Sequence, residues 1–276
     1  FGNTDYGARL PSAILGSLTV LVLGLLIYEL SKNRTLAILG SFVLAITPWH
    51  IYTSRMLLES NIALFFVTLG LYLFFYGFRR QKTFAVVGSY LSFALSLYAY
   101  HTEWGFIPML LLVIWLLYRK DLFKKPAFYF GAGLFLLLLI PLFIDFLHNL
   151  NTNVRASTEI FFKDPYIARQ LSSHTLNIFQ KSQVVVKAIL GNYSSYTNLG
   201  YIFFKGLGLL PPQDPFQSGL FLSPFLPCFI IGLFNIKKFF VNHTKFIYSW
   251  LFIAPIVPAL TWGETSNVRS LVLVLP

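Results

Sequence analysis

Long apolar blocks, separated by short polar segments, constrain this chain more than any other feature of its sequence. Hydrophobic residues fill 56% of the 276 positions and charged residues only 11%, whereas soluble domains carry about 25% charged residues. A block of roughly 18 or more apolar residues with few charges is typical of a membrane span, and a span in lipid must satisfy its own backbone hydrogen bonds as a helix. The sequence therefore predicts an all-α fold, a polytopic transmembrane helical bundle. We place eight spans and the start of a ninth at residues 12–30, 35–51, 62–78, 83–100, 106–118, 128–146, 219–234, 245–262 and from 269 onward.

These spans divide the chain into three regions. Residues 1–147 form an N-terminal transmembrane region of six spans, residues 148–218 a small outer-face loop domain, and residues 219–276 a C-terminal transmembrane region. In the loop domain, residues 167–190 are predicted to form one or two helices, and residues 192–196 a loop because Asn and Ser favour turns. The chain starts without methionine and stops within an apolar segment, so we expect it to be a piece of a longer protein.

Basic residues are concentrated in alternate loops. Twelve of the 21 lysines and arginines lie in four loops that follow every second span, whereas the short loops on the other side hold only Arg9, Arg55 and Arg269. Cytoplasmic loops of membrane proteins carry such an excess of positive charge, so these four loops are predicted to be cytoplasmic. The net charge of +11 then needs no nucleic-acid partner. The twelve residues are Lys32, Arg34, Arg79, Arg80, Lys82, Arg119, Lys120, Lys124, Lys125, Lys237, Lys238 and Lys245.

Acidic residues show the opposite distribution. Of the ten acids, only Glu29 and Asp121 fall on the predicted cytoplasmic side. Three of the five histidines, His50, His101 and His148, stand at the outer ends of predicted spans. Polar chemistry is therefore concentrated where the helices emerge on the extracytoplasmic side of the cell membrane, and any active site is predicted there.

Arg9 stands one turn before the first span and has two interpretations. It is either an interfacial anchor whose aliphatic stem lies in lipid, or a clamp that binds a phosphate through two parallel hydrogen bonds. Arg55 and Glu59 lie in the next outer turn at a spacing of four. They either pair as a structural salt bridge, if that turn is helical, or bind and orient a negatively charged substrate.

Two further outer segments hold candidate binding residues. His101 and Glu103 are two positions apart in an aromatic turn, where both can reach one ligand, and Arg269 begins the last span. A third metal ligand is not evident beside His101 and Glu103, so no metal site and no cofactor are predicted, although the sequence leaves a divalent metal open. The lone Cys228 excludes an internal disulfide and a cysteine-based metal site.

Signatures of soluble nucleotide-binding enzymes are absent from the sequence. Several other short motifs follow one another along the chain, at residues 8–12 (Ala-Arg-Leu-Pro-Ser), 45–50 (Ala-Ile-Thr-Pro-Trp-His) with 54–55 (Ser-Arg), 96–102 (Ser-Leu-Tyr-Ala-Tyr-His-Thr), 201–206 (Tyr-Ile-Phe-Phe-Lys-Gly), 219–220 and 232–233 (Gly-Leu), and 267–269 (Asn-Val-Arg) with Pro276. In this order the motifs resemble the GT-C superfamily of polytopic glycosyltransferases, and most closely its protein O-mannosyltransferase and aminoarabinose-transferase branch. The resemblance covers most of the chain.

The resemblance implies a membrane glycosyltransferase. Such enzymes move a sugar from a polyprenyl-phosphate donor to a protein or glycolipid acceptor at the outer face of the membrane. Arginines hold the carrier phosphate, and an acidic residue of the first outer loop acts as general base. That loop precedes the segment at residues 8–12, so the catalytic base is expected upstream of Phe1 and the fragment alone is expected to be inactive.

Two other classes of protein share parts of this pattern. A polytopic transporter or lipid flippase of the cell envelope has the same hydropathy, but transporters tend to contain internal repeats and charges at mid-membrane. In this chain the charges lie at outer span ends and no repeat is evident, which favours the enzyme. Another envelope polymerase or ligase that uses lipid-linked sugars would differ from it in motif order.

Overall fold

The computed structural model describes residues 5–56, 58–148, 164–173, 177–205, 219–261 and 269–271, and this part of the chain is helical with no β-strand. A five-residue π-helical turn at Tyr201–Lys205 and a 3₁₀ turn at Ser223–Phe225 lie between the longer helices. The α-helices in chain order are α1 (Asp5–Ser31), α2 (Arg34–Ile46), α3 (Pro48–Arg55), α4 (Glu59–Arg80), α5 (Thr83–Ala99), α6 (Glu103–Leu122), α7 (Pro126–His148), α8 (Pro165–Ser172), α9 (Ile178–Thr197), α10 (Leu226–Phe239), α11 (Thr244–Ile253) and α12 (Ile256–Ala259).

Among the residues that the structure describes, three helices are long and apolar enough to cross a membrane. They are Arg9–Ser31 within α1, α4 and α7, and the bent pair of α2 and α3 makes a fourth if it is one span. Shorter apolar helices occupy Thr83–Ala99 and Thr244–Ala259. The all-helical, membrane-spanning class predicted from the sequence is confirmed, whereas the count of eight to nine spans and the separate loop domain stay predictions. Of the predicted ninth span, only residues 269–271 lie within the described part.

Proline residues explain where two predicted spans are broken. The span predicted at 35–51 bends by 59° between α2 and α3, because Thr47 is extended (φ −69°, ψ 121°) and Pro48 begins α3. A residue before proline is disfavoured in the helical region, and proline has no N–H to donate. The span predicted at 245–262 is interrupted at Pro255 without an extended residue, since Ala254 (φ −58°, ψ −39°) and Pro255 (φ −79°, ψ −10°) keep helical angles between the end of α11 and the start of α12.

The core of the bundle follows α4, which packs against α1 and α5, while α5 packs in turn against α7. Leu64, Val67 and Leu71 of α4 are fully buried. By contrast, α2 and α7 carry exposed apolar side chains such as Ile38 (68% exposed) and Phe130 (70% exposed). Exposed apolar surface on these outer helices is expected where a helix faces lipid.

The four basic loops lie at one end of the bundle. Arg79, at the end of α4, binds the carboxylate of Glu29 near the end of α1. Lys125 donates to the Phe78 carbonyl, which joins the loop after α6 to the end of α4. The turn before α11 reaches the end of α6 through a Tyr118–His243 hydrogen bond. We call this the basic end and the opposite one the acidic end.

Two helices, α8 and α9, lie in the segment that the sequence predicts to be extramembrane, as predicted for residues 167–190, but the prediction of a loop at residues 192–196 was wrong. Helix α9 continues through these residues to Thr197. Tyr193 donates to the Phe252 carbonyl at 3.0 Å, and Tyr196 is only 3% exposed. These tertiary contacts outweigh the turn preference of Asn and Ser.

Candidate functional site

A buried amide joins three elements at the acidic end. Asn61, in the first turn of α4, donates through Nδ2 to the Ser12 carbonyl at 2.8 Å and to Ser12 Oγ at 3.0 Å. Ser12 Oγ lies 3.4 Å from the Thr53 carbonyl of α3. Asn61, Ser12 and Thr53 are each fully buried. A buried polar group is stable only when it is hydrogen-bonded, so this network fixes the start of α1 against α3 and α4.

His50 adds a second bond between the same elements. Its ring is 3% exposed, and Nε2 lies 3.1 Å from the Gly16 carbonyl of α1. A carbonyl can only accept, so Nε2 carries the hydrogen. The other ring nitrogen, Nδ1, has no hydrogen-bond partner among the described residues. His50 is therefore held as a donor to the backbone of α1, seven residues along that helix from Arg9.

The structure places Arg9, Arg55 and Glu59 around this network, each exposed to the surroundings. The spacing of four allowed a salt bridge between Arg55 and Glu59 on one helix. No ion pair joins these two described residues. The reason is that α3 ends at Arg55, Met56 and Leu58 are extended, and α4 begins at Glu59. Glu59 instead lies in the first turn of α4, where the helix dipole favours a negative charge.

A second group of polar contacts surrounds Arg269. Its Nη1 donates to Thr261 Oγ1 at 3.1 Å. Asn192 of α9 donates to the carbonyls of Ala259 and Thr261, each at 3.2 Å. The neighbouring Ser270 Oγ lies 3.5 Å from the Tyr201 hydroxyl. The Arg269 guanidinium is thus held beside Thr261, which follows α12 and is bound by Asn192 of α9.

Glu103 and His101 have different surroundings. Glu103, the first residue of α6, is 2% exposed, and its Oε2 has no hydrogen-bond partner among the described residues. The same end of α6 packs closely on α12, because a Cβ built on Gly105 would lie 2.8 Å from a Val257 methyl. His101 is exposed, with its ring centroid 4.5 Å from that of Tyr100. One side chain is buried and the other exposed, so they do not face a common metal, and the described residues contain no group of three metal-ligating side chains.

An apolar cavity of about 770 Å³ lies between α1 and α2 on one side and α9, α10 and α11 on the other. Leu23 and Leu26 of α1 line it, as do Trp49 of α3 and Tyr196 of α9. Tyr196 packs edge-on against Tyr201, with centroids 5.8 Å apart. Tyr201 in turn lies beside Ser270, the residue after Arg269, so these contacts connect Tyr196 of the cavity wall to the segment that holds Arg269.

The predicted site residues therefore fall into two groups. Arg9, Arg55 and Glu59 surround the start of α1, whereas Glu103 and Arg269 both adjoin the α12 region. A single cavity shared by all six predicted residues, His101 included, stays a prediction. The sequence did not identify Asn61 and Asn192, whose amides form hydrogen bonds between elements of the fold. An amide next to a long apolar block is the signal that could have identified Asn61.

The fold and these contacts define a helical integral membrane protein with polar side chains at the ends of its helices and an apolar cavity between them. The model of the family described as dolichyl-phosphate-mannose-protein mannosyltransferase matches residues 1–144, over half of the chain. The chain therefore belongs to this family of membrane glycosyltransferases. No curated protein and no solved structure matches the chain. The resemblance drawn from the motifs is confirmed for the family, while the branch within it stays a prediction.

Proposed function

We propose that this protein transfers a sugar from a polyprenyl-phosphate donor to a protein or glycolipid acceptor at the extracytoplasmic face of the cell membrane. The observation that carries the proposal is the apolar cavity, whose wall residue Tyr196 is connected through Tyr201 and Ser270 to the segment that holds Arg269. An isoprenoid chain needs an apolar channel within or beside the helices. Its phosphate needs a cation where that channel approaches the membrane surface.

The chemistry of the donor explains why the cations are arginines. As the sugar–phosphate bond breaks, negative charge grows on the departing phosphate. A fixed cation therefore stabilises the transition state more than the ground state. A guanidinium stays charged and presents two parallel N–H groups to one phosphate. The hydrogen bond that Arg269 Nη1 donates to Thr261 Oγ1 supports this role, since it holds the side chain in one orientation before the ligand arrives.

Arg9 is proposed as a second phosphate-binding residue, reached by the lipid headgroup at the acidic end. It lies about 10 Å along α1 from the Gly16–His50 contact, at 1.5 Å per residue. The network of Asn61, Ser12 and Thr53 fixes the helix start that carries it. Glu59 and Arg55 are proposed to contact the acceptor or the donor sugar, because both are exposed beside the same network.

Conservative substitution of the arginines tests the proposal. Arg269→Lys and Arg9→Lys keep the charge but lose the bidentate geometry. We expect each to lower the turnover of a synthetic polyprenyl-phosphate sugar donor by the full-length protein about tenfold or more, roughly 1.4 kcal/mol. The matched control is Arg169→Lys, an exposed arginine of α8, which should leave turnover within about twofold. Folded yield is measured beside each assay. Unchanged turnover in both Arg269→Lys and Arg9→Lys would contradict phosphate binding by these residues.

A further inference from the structure

A second cavity, at the basic end, is independent of the proposed sugar transfer. It is a groove of about 500 Å³ between the end of α6 and the turn that joins α10 to α11. Its lining combines the polar residues Lys237, Lys245 and Asn242 with the apolar residues Leu117, Val241 and Phe246. We call it the lysine groove. It therefore combines two lysine side chains with hydrocarbon surface.

The two lysines of this groove are not neutralised by the protein. No carboxylate lies within 4.0 Å of Lys237 or Lys245 among the described residues. Of the two acids at the basic end, Glu29 is bound by Arg79 and Lys32, and Asp121 lies 4.0 Å from Lys124. The groove therefore presents uncompensated positive charge.

The position of Lys245 argues against a role in helix stability. It lies in the first turn of α11, which contains no acidic residue. The start of a helix is the positive end of its dipole, so a cation there is unfavourable. Lys237, in the last turn of α10, is favourably placed by the same rule. The helix dipole thus stabilises the charge of Lys237 but not that of Lys245. An anion bound between the two lysines would stabilise both charges.

The base of the groove is held in a fixed shape. Tyr118 hydrogen-bonds to His243 Nδ1 at 2.8 Å, and the His243 ring packs edge-on against Phe75 with centroids 5.0 Å apart. Burial lowers the pKa of His243 to about 4, so its ring is neutral at physiological pH and pairs with the Tyr118 hydroxyl without carrying a charge. Thr244 Oγ1 is bound to the Phe240 carbonyl at 2.7 Å. The turn is therefore organised before any ligand binds, and its charge comes from the lysines.

We propose that the lysine groove binds an anionic glycerophospholipid of the adjoining leaflet. The phosphate contacts Lys237, Lys245 and the Asn242 amide, and an acyl chain lies along Leu117 and Val241. Basic pockets between membrane helices bind such headgroups. The exposed Val241 (73%) suits an acyl chain that enters from the bilayer. The lipid is distinct from the sugar donor and its binding does not depend on catalysis.

The alternative explanation is that these lysines contribute only to the general positive charge of one membrane face. In that case any two lysines of the basic end would matter equally. Lys238 and Lys120 provide the matched control, since both are exposed at the same end and neither lines the groove. Lys238 instead lies 6.0 Å from the Phe239 ring.

Lipid binding to the purified protein in detergent tests the proposal by native mass spectrometry. The probes are dioleoylphosphatidylglycerol, dioleoylphosphatidylcholine and inorganic phosphate. We expect phosphatidylglycerol to bind more tightly than phosphatidylcholine. We expect Lys237→Gln/Lys245→Gln to weaken phosphatidylglycerol binding about tenfold or more, as the loss of two such contacts implies. The variant Lys238→Gln/Lys120→Gln should change it less than about threefold.

Three results would overturn the proposal. Equal losses in the two double variants would assign the effect to general charge. Equal binding of the two lipids would exclude headgroup recognition. Full displacement of the lipid by millimolar inorganic phosphate would show an anion site without a lipid component. Because all four lysines are exposed, the thermal unfolding of each variant serves as the check that the fold is intact.

Discussion

The guanidinium of Arg79 binds the carboxylate of Glu29 across two helices, with Arg79 Nη2 2.7 Å from Glu29 Oε2. Glu29 is 4% exposed, and Lys32 Nζ lies 3.0 Å from its other oxygen. Burial lowers the pKa of the Lys32 amine, an effect that its bond to Glu29 partly offsets. Two cations thus share one carboxylate where the ends of α1 and α4 meet.

Removal of Arg79 should destabilise the fold. Loss of one partner of a fully buried ion pair costs about 3–5 kcal/mol because a charge is left uncompensated. Arg79 is 42% exposed and Lys32 remains, so we expect about 2 kcal/mol for Arg79→Ala. Thermal unfolding in detergent measures this loss of stability.

Arg80→Ala is the control, because Arg80 only stacks on Tyr76 at 4.7 Å, which is worth about 0.5 kcal/mol. The double variant Glu29→Gln/Arg79→Ala should recover part of the loss. Equal losses for Arg79 and Arg80 would show that the pair contributes nothing.

Two glycines of α7 should respond oppositely to alanine. A Cβ on Gly131 would overlap the Tyr90 ring of α5, whereas a Cβ on Gly133 meets no atom within 4 Å. Small residues let membrane helices approach closely. We expect Gly131→Ala to cost about 1–3 kcal/mol through overpacking. Gly133→Ala should be neutral or stabilising by up to about 1 kcal/mol, since alanine favours the helix. Comparison of their unfolding temperatures tests this close α5–α7 contact, and equal effects would contradict it.

Cysteine labelling tests the orientation of the bundle. In a Cys228→Ser background, which removes the one native thiol, we expect Ser195→Cys to react with a membrane-impermeant maleimide on intact cells. Lys124→Cys should react only after permeabilisation, since basic loops face the cytoplasm. Both positions are exposed on the protein, so accessibility reports the side of the membrane. The reverse pattern would place the basic end outside and refute the proposed active face.

Acid should destabilise the fold through His243. Its pKa is about 4 in the folded protein, below the ordinary value of 6.5, first because of burial and then because of the charge of Lys32, with Glu29 opposing. The unfolded chain therefore binds the proton more tightly between these values, so stability is full above pH 6.5 and falls as the pH drops towards 4. At pH 5 we expect a loss on the order of 1 kcal/mol, reduced by partial exposure of the ring. The variant His243→Asn should show a smaller fall between pH 7.5 and 5. An identical pH profile would exclude His243 as the cause.

The sequence predicted helices best where a long apolar block sets their position. The predicted spans at residues 12–30, 62–78 and 128–146 lie within α1, α4 and α7, because the thickness of the lipid and the apolar composition both require a helix there. The span predicted at 219–234 was placed too early, since α10 begins at Leu226 after a 3₁₀ turn. Hydropathy does not distinguish helical from extended apolar residues, so it does not show where a helix begins near a proline.

Contacts between distant residues could not be predicted from the sequence. Asn61 and Ser12 are far apart in the chain, and neither residue type indicates its partner. The spacing of Arg55 and Glu59 suggested a helical pair, yet the break between α3 and α4 separates them. The positive charge of the alternate loops was visible in the sequence, whereas the groove between Lys237 and Lys245 exists only because α6 ends beside that turn.

The bend after Thr47 releases a backbone amide from its own helix. In a continuous helix, the Trp49 N–H would donate to the carbonyl four residues earlier. Instead it donates at 3.2 Å to Leu220, and the Trp49 ring packs edge-on against Phe221. The next residue, His50, is bonded to α1. The short helix α3 therefore ties the backbone at Leu220 to the helix that carries Arg9, through hydrogen bonds made by two successive residues.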